Sequence, residues 1–161
     1  GLFRVADSQV ASRWGNILDF QGFDLITPNE KEARFAMGDQ DTVVRPLGTE
    51  LHNQANCCFL ILKLGARGLL TFRRDIGTAK DMRSFFAVDS FAVNVVDAVG
   101  SGDALLAYAA LALKMTGNEV IASILGSLAA AIECGKDGNI PVSHEDMRHK
   151  LRFLEERATL V

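Results

Sequence analysis

The stretch Asp97-Ala98-Val99-Gly100-Ser101-Gly102-Asp103 sets a carboxylate beside two glycines and a small serine. Gly100 and Gly102 let the backbone approach an anion with no Cβ in the way. A run of good helix formers follows from Ala104 to Lys114, so the amides of Gly100, Ser101 and Gly102 fall at a helix N-terminus. Unpaired N–H groups and the helix dipole favour an anion there. A loop built only to hold phosphate gains nothing from Asp103, whose charge repels that ligand. A loop that must deprotonate a hydroxyl while phosphate charge moves nearby needs both. On that reading Asp103 is the general base, and the amides of Gly100, Ser101 and Gly102 steady the charge on a transferring group. The plainer alternative is an acidic residue that interacts with the dipole in a helix's first turn.

Two other phosphate-binding loops are excluded. No Gly-x-x-x-x-Gly-Lys-Ser/Thr string occurs, and a dinucleotide loop needs a small residue at position 105, which is Leu. A second group of candidates precedes the loop. Thr27-Pro28-Asn29-Glu30 opens a helix with Thr27 as N-cap, Pro28 at the first position and Glu30 completing a capping box. Asn29 and Glu32 are then uncommitted and share a face, so both can point at one object, unless they are merely solvated. Between these groups lies Lys63-Leu64-Gly65-Ala66-Arg67-Gly68, a tight turn between two apolar runs. Lys63 is a candidate phosphate contact or an ordinary solvated strand-end lysine.

The elements that carry these residues alternate. Strands are expected at residues 2–6, 23–26, 57–62, 69–72, 85–88 and 91–96. Helices are expected weakly over 12–20, then from Pro28, over 41–56 with Val43, Val44, Leu47 and Leu51 as an apolar stripe, over 104–115, over 119–133, and from 143 to about 157. Cys57–Leu62 is apolar throughout, as a central parallel strand buried on both faces would be. A strand so close to residue 1 has no hairpin partner before it, which suggests a sheet cut part-way through. Ser143 with Asp146 caps the last helix. Ala129, Ala130 and Ala131 leave room for a flat aromatic base or for close helix packing.

The 161 residues are 48% apolar and 23% charged with net charge −3, as expected for one globular domain over 1–161. No basic cluster suits nucleic acid, and no apolar run suits a membrane span or a signal peptide. Three cysteines make no disulfide framework, which points to the cytoplasm. The three histidines lack metal-ligand spacing. There are no repeats or low-complexity tracts.

Residues 97–103 resemble the Asp-Thr/Ala-x-Gly-Ala/Ser-Gly-Asp signature of the ribokinase-like (PfkB) carbohydrate kinases without a mismatch. Thr27-Pro28-Asn29-x-x-Glu32 resembles the same family's Asn-x-x-Glu motif, and Gly65 and Gly68 its Gly-x-x-Gly turn. The resemblance implies an α/β, three-layer αβα ribokinase-like fold with a mostly parallel sheet. It further implies ATP as phosphate donor, a sugar or sugar phosphate as acceptor, and Asp103 as catalytic base. Asn29 and Glu32 would organise Mg2+ through its waters. Lys63, Gly65, Gly68 and Asp97 would lie beside the nucleotide, with Ser127 near adenine. Carbonyls of the 134–141 loop would border a monovalent cation such as K+. Asp7-Ser8-Gln9 with Asp24–Arg34 looks most similar to the heptose-7-phosphate kinase branch.

The resemblance corresponds to the C-terminal half of a full-length family member, truncated at the N-terminal side. This implies that most sugar contacts lie elsewhere and that the chain alone turns over weakly or not at all. A homodimer is compatible with these expectations. The rival readings are a non-catalytic nucleotide- or sugar-binding regulatory module of the same fold, and a dinucleotide-binding oxidoreductase domain disfavoured by its glycine spacing.

Overall fold

The computed structural model describes residues 1–7, 15–74 and 84–158. Five strands form one sheet in the order β1 (Val5–Ala6), β2 (Leu25–Ile26), β3 (Phe59–Lys63), β4 (Leu69–Arg73), β5 (Phe85–Val88). β1, β2 and β3 run parallel, whereas β4 is antiparallel to both β3 and β5. The Gly65–Gly68 turn explains the switch, because a short connection can only return the chain antiparallel.

Side-chain alternation along the strands produces two cores. Ile26, Leu60, Leu62 and Phe72 face a layer made by a single 3-10 turn (Ile17–Phe20), α1 (Glu30–Met37) and α2 (Val44–Ala55). Leu25, Ile61 and Leu69 face α3 (Ser101–Thr116) and α4 (Glu119–Cys134). β3 is thus buried on both sides, as its unbroken apolar run requires. Across the second interface Thr71 Oγ1 and Ser123 Oγ share a hydrogen bond of 2.7 Å, which satisfies two buried hydroxyls. α5 (His144–Ala158) packs on α4 through Met147 and Leu128. The expected Ser143–Asp146 cap is present: Asp146 Oδ2 accepts from Ser143 N at 2.8 Å, and Ser143 Oγ accepts from Asp146 N at 3.1 Å.

Several local expectations are corrected. Residues 91–96 form no strand. Val93, Val95 and Val96 are exposed, and the amides of Val96 and Asp97 both donate to the Cys134 carbonyl, at 2.7 and 3.2 Å. β-branched composition favours a pleated, half-buried surface only where a neighbouring strand exists, and here the segment leaves the sheet edge for the end of α4. The capping box of α1 is made by Asn29 and Glu32 rather than by Thr27 and Glu30. α2 begins at Val44, and Val43 before it is exposed, outside the apolar stripe. Of the weak helix expected over 12–20, only the turn at Ile17–Phe20 forms, and positions 12–14 lie outside the described residues.

Candidate functional site

Three segments with no sequence adjacency meet at the carboxyl ends of the parallel strands, where α/β sheets generally bind ligands. β2 leads into Asn29, β3 ends at Lys63, and the N-terminus of α3 lies across them. Lys63 N donates to the Pro28 carbonyl at 2.9 Å, which joins the Asn29 segment to β3 just beyond the regular ladder. Between these segments and α4 lies a cavity of about 510 Å³. Its walls include Asn29, Lys63, Gly65, Gly68, Ser101, Gly102 and Ser127 from among the sequence candidates, joined by Ala130, Ala131 and Cys134. Glu32, Asp97, Gly100 and Asp103 do not line it.

The loop before α3 is wound tightly. Asp97 Oδ1 accepts from Val99 N at 2.9 Å, and Ser101 Oγ donates to the Ala98 carbonyl at 2.8 Å. Gly100 is left-handed with φ 85°, a conformation that disfavours any side chain there. The Ser101 amide already donates to Ala98 O at 3.3 Å, so the donors left for a ligand centre on Gly100 and Gly102. Asp103 is the third residue of α3. Its side chain is exposed, next to Gly102, and makes no ion pair among the described residues.

Asn29 and Glu32 are not uncommitted. Asn29 Oδ1 accepts from Glu32 N at 2.9 Å, and Glu32 Oε2 accepts from Asn29 N at 2.7 Å. Each therefore spends one oxygen on the helix end, while Asn29 also reaches the cavity. Burial pushes the Glu32 carboxyl above its ordinary range, against the pull of the Asn29 amide and the Lys63 ammonium.

Gly68, with φ 81°, has a structural reason to be glycine. A Cβ there would lie 2.1 Å from the Val88 carbonyl oxygen, on the neighbouring strand's backbone. Gly65, with φ 61°, faces open space and lines the cavity. Ser127 is buried on α4. Ala130 and Ala131 open onto the cavity, while Ala129 is packed in the core.

Two acidic residues were not among the candidates. Asp7, at the end of β1, accepts a hydrogen bond from Lys63 Nζ at 2.5 Å. Glu133, only 2% exposed, has no hydrogen-bond partner on either carboxylate oxygen among the described residues. Its Oε1 would lie 3.0 Å from a Cβ placed on Gly100, and Asn139 Oδ1 would lie 2.5 Å from it. A charge near the end of the apolar run Ala129-Ala130-Ala131-Ile132-Glu133 was the available signal for Glu133. For Asp7 it was the place of a carboxylate directly after a parallel strand.

Comparison with known proteins agrees with this geometry. Residues 6–146 match the pfkB family of carbohydrate kinases. Over 157 residues the chain is 31% identical to the bifunctional protein HldE of Geobacter metallireducens, which covers 88% of this chain and 30% of that protein. HldE of Nitratiruptor sp. is 27% identical, covering 87% and 29%. The chain thus spans less than a third of the length of these relatives. Ribokinase from Thermotoga maritima overlays with a TM-score of 0.73 at 28% identity, covering 92% of this chain and 48% of that one. Phosphofructokinase-2 from Escherichia coli, solved in complex with potassium, shares the fold with a TM-score of 0.71. The chain belongs to the PfkB family of carbohydrate kinases, with the ribokinase-like α/β fold.

Proposed function

We propose that this chain carries the ATP site and catalytic base of a kinase that phosphorylates a hydroxyl of a sugar or sugar phosphate, of the heptose-7-phosphate kinase type. The observation that supports this most is one cavity lined by residues from three separate motifs: Asn29, the Lys63–Gly68 turn, and Ser101 with Gly102. In this reading the nucleotide base rests against Ser127 and Ala130, and its phosphates run past Gly65 and Lys63 towards α3. Asp103 takes the proton from the acceptor hydroxyl as that oxygen bonds to the terminal phosphorus and the bond to the ADP oxygen breaks. The Gly100 and Gly102 amides hold the charge of the group in transit.

Magnesium, when bound, would supply neutralisation of the phosphate oxygens. Asn29 and Glu32 each have one oxygen committed to the capping box, which fits contact through water better than direct ligation. The buried Glu133 carboxylate, with Asn139 Oδ1 beside Gly100, is an orphaned anion of the sort that a monovalent cation such as K+ would neutralise. Three unpaired cysteines fit a reducing cytoplasm. Among the described residues no helix is long and apolar enough to cross a membrane.

Asp103→Asn tests the base. In the intact protein it should lower phosphoryl transfer by about 100-fold or more, while ATP affinity from calorimetry changes by no more than about twofold. Comparable transfer by the variant would remove the assignment and leave a nucleotide-binding module. The same assay across heptose 7-phosphate, ribose and fructose identifies the acceptor. We expect this chain alone to turn over weakly or not at all.

A further inference from the structure

Asp7 directly follows β1 and Lys63 ends β3, and both strands run parallel to β2, so the two side chains open on one edge of the sheet. Lys63 Nζ donates to Asp7 Oδ2 at 2.5 Å, and the side chains are only 16% and 18% exposed. Both charged tips sit against the first turn of α3: a Cβ on Gly102 would lie 3.2 Å from Lys63 Nζ and 3.5 Å from Asp7 Oδ2. Lys63 lines the cavity.

An ammonium at a helix N-terminus is poorly placed on its own, because the amide dipoles there repel it. Taking it out of water without a partner is costlier still. Asp7 removes both problems, and it does so at the place where an anionic ligand would otherwise serve. We propose that Asp7 is the resident counter-anion of Lys63, displaced by an incoming phosphate group, and that it sets how strongly the site discriminates phosphate charge. The proposal rests on reading the cavity as a nucleotide site.

The two charges then act in opposite directions. Without the Asp7 charge, Lys63 loses its hydrogen-bonded counter-anion and keeps the Glu32 carboxyl as an opposing group in the free protein, and phosphate binding relieves that cost. Affinity for phosphate should rise while the free protein loses stability. Without the Lys63 charge, Asp7 faces the phosphate and affinity should fall. A residue that merely positioned Lys63 would behave differently, since removing it would weaken phosphate binding as removing Lys63 does.

Calorimetry on this chain with ATP and with adenosine, at fixed salt and magnesium, separates these cases. Asp7→Asn should bind ATP about tenfold more tightly and Lys63→Met about tenfold more weakly. Adenosine affinity should stay within about twofold in both variants, and Asp7→Glu should bind ATP like the wild type. Weaker ATP binding by Asp7→Asn, or an equal change for adenosine, would overturn the proposal. Should Asp7→Asn fail to fold, the wild-type protein decides. The assigned 13C carboxyl resonance of Asp7 should move on adding ATP and stay put on adding adenosine, and an unmoved resonance would overturn the assignment. A wild-type chain that binds neither ligand would instead overturn the nucleotide reading itself, and the proposal with it.

Discussion

Glu133 concentrates the electrostatic cost of the site in a single side chain. It has no hydrogen-bond donor among the described residues, which leaves a buried carboxyl that a bound cation would satisfy. If a monovalent cation meets it, the cation stabilises the fold by mass action. Thermal melting in potassium chloride should then exceed that in choline chloride of equal ionic strength by about 2–4 °C. Glu133→Gln should erase the difference. Cys57 shows the opposite behaviour of a buried group: burial pushes its thiol up to about 12, which keeps it neutral and inert among its apolar neighbours.

Among the elements, α5 depends on one carboxylate. Asp146 accepts from the Ser143 amide, the Lys136 ammonium and the Ser143 hydroxyl, and these donors hold it at about 2 instead of 3.8. A carboxyl depressed in the folded state contributes stability that is present above its ordinary value and lost as pH falls through the lowered one. Protection of the amides in the first turn of α5, taken relative to their intrinsic exchange rates, should therefore fall as pH drops from about 3.8 towards about 2. Asp146→Asn should flatten that dependence and loosen the turn at neutral pH.

The elements also differ in how readable they were. β3 and β4 were legible because the unbroken apolar run Cys57–Leu62 and two turn glycines leave little else for that stretch to be. α3 and α4 were legible from helix-forming composition bounded by glycine or asparagine. The 91–96 segment was misread because β-branched residues register suitability for a sheet but not whether a strand is available to pair with. The α1 cap was misread because two overlapping box patterns, Thr27 with Glu30 and Asn29 with Glu32, fit the sequence, and the backbone chose the second. The residues of the cavity were mostly found through family resemblance. Asp7 entered that resemblance without a site role and Glu133 escaped it, because their contacts lie 56 residues away for Asp7 and across the α3 loop for Glu133.

For the molecule as a whole, the close approach of its layers leaves no slack at chosen points. Gly48 on α2 is one: a Cβ there would lie 2.4 Å from two ring atoms of Phe72 on β4. Alanine at an ordinary helical site would gain about 1 kcal/mol over glycine, but forcing a methyl into a filled interface costs about 1–3 kcal/mol. Gly48→Ala should therefore lower stability in urea unfolding, and Phe72→Leu in the same protein should recover part of the loss.

The hydrogen bonds from Val96 and Asp97 to Cys134 have a mechanical consequence. They moor the turn before α3 to the far end of its neighbouring helix instead of lacing it into the strands. The sheet then presents Asn29 and Lys63, while Gly102 and Asp103 belong to the helical pair α3 and α4. Any tilt of that pair against the sheet would widen or narrow the cavity between Lys63 and the N-terminus of α3.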